Sequence, residues 1–309
     1  MFTKTLKKAA LATAAVCTIG GAAFAATPQQ TYVDAVNTMS THPEGTYTTQ
    51  VKMVMPFVGD VTGHQQAFIQ LEPEAKARFD TWATSSQGRD SEKVSGYMEQ
   101  DGARFVVYYP QTERNKNKSA KTVWKKASIP LKDSRPLVEV IRQEQHKGVL
   151  NGVKSVTALG GDRYNVVYDM SRIYKNGDEK EWEKQGLTKA EDRELLKTVL
   201  LALKDSGDVS AQLTIDPRSH RITHVSVPLT AQMRSVASVI ADKAADYAPD
   251  KKAELAMAKQ FAMNSTVSFD CDWSLLPQGI DLSVPESVKK QAVEDKDGNI
   301  LVLQVGDQK

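Results

Sequence analysis

Hydrophobic positions change their period several times along this chain, and each change marks an element. Tyr32, Val33, Val36 and Met39 fall at helical spacing behind Thr27-Pro28-Gln29-Gln30. That start combines a threonine cap, proline at the first helical position and a glutamine able to reach back, and the helix should stop near His42-Pro43. From Gly45 the period becomes two. Tyr47, Val51, Met53, Met55 and Phe57 share one strand face, and Thr48, Gln50 and Lys52 take the other. Gly59-Asp60 reads as a turn and residues 61–71 as the returning strand, followed by strands over 76–84 and 93–100 and a hairpin signal at Asp101-Gly102. The next run, Arg104-Phe105-Val106-Val107-Tyr108-Tyr109, is apolar on both faces. Such a strand needs cover on both sides, from helices or from a bound apolar molecule.

A polar loop is expected over 110–121, then a strand around Trp124 and a helix over 134–147 with Leu137, Val140 and Ile141 inward. Strands follow at 154–159 and through Tyr164, Val166 and Tyr168, with Gly160-Gly161 between them. Thr188-Lys189-Ala190-Glu191 is a capping box opening a helix that carries Leu195, Leu196, Val199, Leu200 and Leu203 and closes at Gly207. Val209, Ala211, Leu213 and Ile215 alternate with polar residues, and Asp216-Pro217 turns into a strand at 221–227. Two alanine-rich helical stretches, 230–247 and 250–263, are broken at Pro249. Val267, Phe269, Cys271 and Trp273 then face one way, against Thr266, Ser268, Asp270 and Asp272. Further strands are predicted at 280–284 and 300–305, around a helical turn at 285–292.

The N-terminus changes the setting. Lys4, Lys7 and Lys8 precede an apolar stretch over 9–22 and the small-residue site Ala23-Phe24-Ala25, which together read as an export signal covering 1–25. Acylation at Cys17 is the weaker reading, because Ala14-Ala15-Val16 lacks the leucine and the small final residue of a lipidation signal. Removing 1–25 takes away three lysines and no acids, so the formal charge falls from +2 to −1. That balance gives no electrostatic footprint for nucleic acid. Cys271 is then the remaining cysteine, so no internal disulfide is expected and the fold must rest on its core. Residues 26–309 read as one α+β domain.

The order of elements resembles the superfamily of the periplasmic lipoprotein carrier LolA and its related mycobacterial lipid-binding lipoproteins. The matching pieces are the N-terminal helix, the strand from Tyr47 to Phe57, the hairpin from Tyr97-Met98 through Asp101-Gly102 to Tyr108-Tyr109-Pro110, and Trp124-Lys125-Lys126. The hairpin from Leu213-Thr214-Ile215-Asp216 to Val225 and the closing Ile280-Asp281-Leu282-Ser283-Val284-Pro285 match as well. The resemblance implies a curved, antiparallel, half-open β-barrel whose concave apolar side is capped by helices and holds acyl chains. The helical stretch from Thr230 to Met263 is longer than in that superfamily, and no functional strand arginine is carried over. A relative on the same scaffold regulates the response to envelope stress, so a sensing use is equally available.

Candidate chemistry is sparse. Tyr47, Val51, Met53, Met55, Phe57, Phe105 and Val107 are the candidate lining of an apolar ligand cavity, methionine adapting to varied alkyl shapes; ordinary core beneath a helix is the competing reading. Arg114, Lys116, Lys118, Lys121, Lys125 and Lys126 gather around Trp124. Trp124, Lys125 and Lys126 are accordingly the candidate surface contacts for anionic headgroups or an acidic partner, against the plainer reading of a solvated hairpin. His220 and His224 lack the HExxH pattern, and Asp295-Lys296-Asp297-Gly298 is read as a hairpin turn, not a calcium loop. Asp270 and Asp272 read as a solvated edge and Cys271 as an inert core thiol. Neither GxSxG nor a P-loop nor GxGxxG occurs. The sequence therefore predicts an exported, periplasmic, non-enzymatic protein that needs no cofactor or metal and carries a lipid or acylated protein. The alternative is an envelope-sensing or protein-interaction module on the same scaffold.

Overall fold

The structure, a computed structural model, describes residues 27–295 except 58, 89, 103, 115–119, 131–149, 174–189 and 248. The export signal expected over 1–25, the helix expected at 134–147, the cap expected at 188–189 and the strand expected at 300–305 lie outside the described residues. Helix α1 (Pro28–Thr41) begins as its sequence dictates. Thr27 Oγ1 accepts the Gln30 N–H at 3.2 Å, while the Gln30 side chain donates forward to Asp34 at 2.7 Å instead of back to the cap. Strands β1 (Gly45–Met55), β2 (Gly59–Gln70), β3 (Lys76–Ser85), β4 (Val94–Asp101), β5 (Arg104–Arg114) and β6 (Ala120–Pro130) follow as a meander. Then come β7 (Val153–Gly160), β8 (Arg163–Tyr168), a short α2 (Met170–Ile173), α3 (Ala190–Lys204), β9 (Val209–Asp216) and β10 (Arg221–Pro228). Helices α4 (Thr230–Tyr247) and α5 (Lys252–Met263) meet at a 3-10 turn, Pro249–Lys251, and lead to β11 (Thr266–Ser274), α6 (Glu286–Gln291) and β12 (Val293–Glu294).

The described strands form one open twelve-stranded sheet in the order β12-β6-β5-β4-β3-β2-β1-β11-β10-β9-β8-β7. Every pairing is antiparallel except that of β12 with β6. The sheet is not closed, and with the packed helices it makes an α+β fold.

Three local expectations are corrected. The chain turns at Pro56-Phe57, and Gly59-Asp60 already belongs to β2; Phe57 is therefore off the strand face it was assigned to. Of the stretch expected as a loop over 110–121, residues 110–114 and 120–121 are strand, with Pro110 opposite Trp124 and Arg114 opposite Ala120, while 115–119 lie outside the described residues. Pairing to β4 ends at Tyr108, so Pro110 sits where β5 has no second ladder and its missing N–H costs nothing. Residues 280–284 are not strand: Leu282 and Val284 are buried and the Ser283 N–H is held by Asp281 Oδ1 at 2.9 Å, without a ladder. Alternation there reports a buried side, not a partner strand.

Register fixes the two faces of the sheet. On the face covered by α1, Tyr47 lies between Ala67 and Trp273, Val51 between Gly63 and Phe269, and Met53 between Val61 and Val267. Tyr32, Ala35, Val36 and Met39 of α1 pack there against Tyr47, Val166, Ala211, Leu213, Val225, Phe269 and Cys271, all buried. Tyr32 Oη meets Tyr168 Oη at 2.8 Å, and burial first, then Tyr168, raises its phenol well above the ordinary value. At the far end of the helix Arg221 donates to the His42 carbonyl at 2.9 Å and lies 4.4 Å over the Trp273 ring. Helices α3, α4 and α5 pack on one another, with Ser235 Oγ donating to the Ala202 carbonyl at 2.8 Å and Lys259 paired to Asp242 at 2.7 Å. No residue of α5 is buried.

Because Met39 is enclosed by this core, Met39→Ala should cost ~2–5 kcal/mol. Urea unfolding should show a lower midpoint with an unchanged m-value.

Candidate functional site

The inner face, the one α1 covers, divides into two parts. Over β8–β11 and the start of β1 the apolar side chains are sealed: Val166, Ala211, Leu213, Ile215, Phe269 and Cys271 all lie at 3% exposure or less. Over the rest of β1 and across β2–β4 the same face is only half-buried and mixes apolar with polar residues. Val51, Met53 and Met55, Val61 and Ala67, Ala77, Phe79 and Ala83, and Met98 are its apolar members, and Thr49, Gln65 and Thr81 cross it as a polar row, with Ser85 and Gln100 beyond. Phe105 on β5 is also half-buried, whereas Val107, aligned with Met98 and Ala127, is buried.

Two glycines shape this second part. Gly96 faces Phe79, whose ring lies where a Cβ would stand, 2.2 Å away, so the phenyl takes the room a side chain on β4 would need. Gly63 lies between Val51 and Ala83, and among the described residues a Cβ there would meet nothing nearer than the Val51 carbonyl at 3.9 Å. The floor is low at Gly63, with Val51 and Ala83 across from it and Val61 and Gln65 next on its own face of β2. Chemically its apolar residues offer dispersion contacts and water exclusion.

The outer face is different. Asp80, 1% exposed, accepts from Ser95 Oγ at 2.7 Å, from Arg78 Nε at 3.2 Å and Nη2 at 3.1 Å, and from Lys93 Nζ at 3.0 Å. Beside it Trp82 stacks on His64 with ring centroids 5.1 Å apart, and Lys93 lies 5.0 Å over the indole. This cluster ties β2, β3 and β4 together across their polar side. Asp270 and Asp272 also face outward, but from the middle of the sheet and not from an edge, since β11 lies between β1 and β10; Asp272 holds His224 at 2.8 Å.

The outer face of β4–β6 is covered by the C-terminal part of the chain. Val106 and Tyr108 are buried against Val284 and Val288, with Tyr97, Trp124 and Ala292 around them. The second side of the apolar β5 run is thus filled by protein. Glu99 accepts from Tyr108 at 3.3 Å and from Lys289 at 2.9 Å, and burial followed by Glu99 pushes the Tyr108 phenol up to about 12. Tyr109 donates to Asp295, and Lys126 pairs with Glu294 at 3.3 Å.

Of the sequence-nominated lining, Tyr47 belongs to the sealed core, its hydroxyl donating to the Pro43 carbonyl at 2.7 Å, and Val51 packs at that core's border. Met53 and Met55 lie on the half-covered part, Phe105 and Val107 lie further across the sheet, and Phe57 stands apart in the turn, fully exposed. Trp124 is half-buried in the outer cluster, 6.0 Å from Tyr97, and the Lys126 charge is engaged by Glu294. Trp124 and Lys126 thus hold the C-terminal segment, which weighs against their forming a contact surface; Lys125 aligns with Tyr109 and Val293. Sequence reasoning missed Gly63, Phe79, Gly96 and the Asp80 cluster, because cross-strand register and not spacing along the chain brings them together.

No protein-family model and no curated protein matches the chain. Among solved structures, the crystal structure of LprF from Mycobacterium bovis aligns over 84% of this chain and 96% of its own, at 10% identity and a TM-score of 0.28, a superposition too loose to carry an argument.

Burial alone would raise the Asp80 carboxyl, but its bonds to Ser95, Lys93 and Arg78 outweigh that and hold it below the ordinary 3.8. A carboxyl depressed in the folded state contributes fully above the unfolded-state value, and the contribution drains away as pH falls through the lower folded value. Asp80→Asn should therefore cost about 1–3 kcal/mol at pH 7. Denaturant melts from pH 2 to 7 should show that variant with a shallower acid limb than the wild type.

Proposed function

We propose that this chain is an exported, non-enzymatic carrier that holds acyl chains of a lipid or lipoprotein against the half-covered part of its inner face. The observation that supports this most is the contrast in burial along one sheet face, whose half-covered part carries apolar residues on both sides of the row Thr49-Gln65-Thr81. Residues under α1 are sealed to a few percent exposure, while Met53, Met55, Phe79, Met98 and Phe105, on the same face, are not. Apolar area left in water is unfavourable, and an alkyl chain laid on it returns about 0.8 kcal/mol per methylene buried. Methionine suits such a lining because it repacks around different chain shapes. Coiling of a twelve-stranded open sheet, which sheets of that width adopt in preference to lying flat, would make this face a concavity. The family resemblance of the sequence supports the same use, and the export signal supports action in the periplasm.

Protein purified from cells should carry lipid that appears in mass spectra of organic extracts, and delipidated protein should bind a dansyl fatty acid. Gly63→Met raises the low point of the floor and should weaken that binding about tenfold, the loss of roughly two buried methylenes at ~0.8 kcal/mol each. Thermal stability should change little. Equal binding by both proteins, or no extractable lipid and no dansyl binding at all, would remove the proposal.

A further inference from the structure

The tip of the β1–β2 hairpin is built against the usual rules for a turn. Hairpin tips ordinarily carry Gly, Asn or Asp where φ is positive, and polar residues where water reaches them. Here Phe57 holds φ 66 with its side chain 101% exposed, although a bulky residue in that region is an outlier. Its neighbours Val54, Met55 and Pro56 are apolar too, and Val54 is exposed. The nearest charges on the two strands, Lys52 and Asp60, neutralise one another at 2.7 Å and form a collar below the tip. Nothing in the fold is gained by this arrangement, since Phe57 packs on nothing.

We propose that this tip is a wedge that inserts into the interface of a lipid bilayer. An isolated knob suits a membrane better than a protein partner. A stable protein contact buries about 800 Å² on each side, with a rim of flanking contacts, and a turn as short as the one between Met55 and Gly59 cannot supply that area. A bilayer interface accepts a single projecting aromatic, which exchanges water for acyl chain without needing a complementary surface. The neutral collar means that anionic lipid is not required. Topology puts other apolar residues at the same end of the sheet: Val54 pairs with Thr266, where β11 begins, three residues after the exposed Met263 that closes α5. The wedge does not depend on whether the inner face holds cargo.

The test is flotation of the purified protein with phosphatidylcholine vesicles, with no cargo added. Wild type should co-float at both low and high salt, and Phe57→Ser and Phe57→Asp should each lower the bound fraction at least about fivefold, as expected for removing one buried aromatic. Phe57→Trp should keep binding, and its added indole emission should shift to the blue and be quenched by brominated phosphatidylcholine. Melting temperatures should be unchanged in all three, because Phe57 touches nothing that folds. Wild type that fails to float, equal flotation of Phe57→Ser, or a Phe57→Trp indole that stays in water would each overturn the wedge. So would sedimentation showing a wild-type dimer that Phe57→Ser dissolves, which would assign the tip to contact between copies. Dansyl fatty acid binding by the same variants separates the two ideas: it should persist in all of them if the carrier reading holds, and its failure in every protein, with flotation intact, would leave the wedge standing alone.

Discussion

An apolar sheet face must be covered, and α1 covers only part of this one. Tyr32, Val36 and Met39 enter between the side chains of β8–β11 and the first residues of β1, and exclude water there. The helix is locked at both ends of that contact, through Tyr168 near its start and through Arg221 near its finish. One helix is about 10 Å wide, and strands lie about 4.8 Å apart, so α1 by itself spans only a few of the twelve described strands. The sealed part of the inner face lies where α1 packs.

The outer face is held by other means. At β2–β4 it is polar, and Asp80 is its centre: a carboxylate kept ionised beneath Arg78 and Lys93 because each of its oxygens finds donors. Further along, at β4–β6, the outer face turns apolar, and the chain returns at its C-terminal end to cover it with Val284 and Val288. There β12 joins β6 in parallel, Glu294 takes up Lys126 and Trp124 packs beside Val284 and Val288, so Lys126 and Trp124 have a role in the fold itself. Protection of a sheet edge by a short added strand is a common solution to exposed backbone groups.

Much of the fold was legible because periodicity is a local property. The start of α1, the hairpin at Asp101-Gly102, the strands at 209–216 and 266–274 and the paired helices around Pro249 all lie where spacing placed them. The failures have physical reasons. Alternation at 280–284 recorded burial without pairing, and polarity just after Pro110 did not prevent pairing of 110–114 with 120–124, since neither signal contains the identity of a partner strand. The candidate site was legible only in part for the same reason. Met53 and Met55 could be nominated from one strand, but Phe79 over Gly96 and the low floor at Gly63 exist only through cross-strand register. The sequence also treated Trp124 as a surface residue, because the segment that shelters it lies about 160 positions away in the chain.

Strand β1 shows why residue type alone could not sort core from lining. Its inner positions are apolar apart from Thr49, yet burial falls along the strand: Tyr47 is sealed, Val51, Met53 and Met55 are half-buried, and Phe57 past its end is in water. The gradient is set by distance from α1, a tertiary quantity. It also separates two environments on one element. Near Gly45 a changed side chain disturbs packing that folding depends on. Towards Met55 it meets fewer neighbours, so the apolar residues there are not explained by the enclosed core. The exposed phenyl in the turn is the limiting case, kept apolar and in an unfavourable backbone conformation where the fold asks for neither.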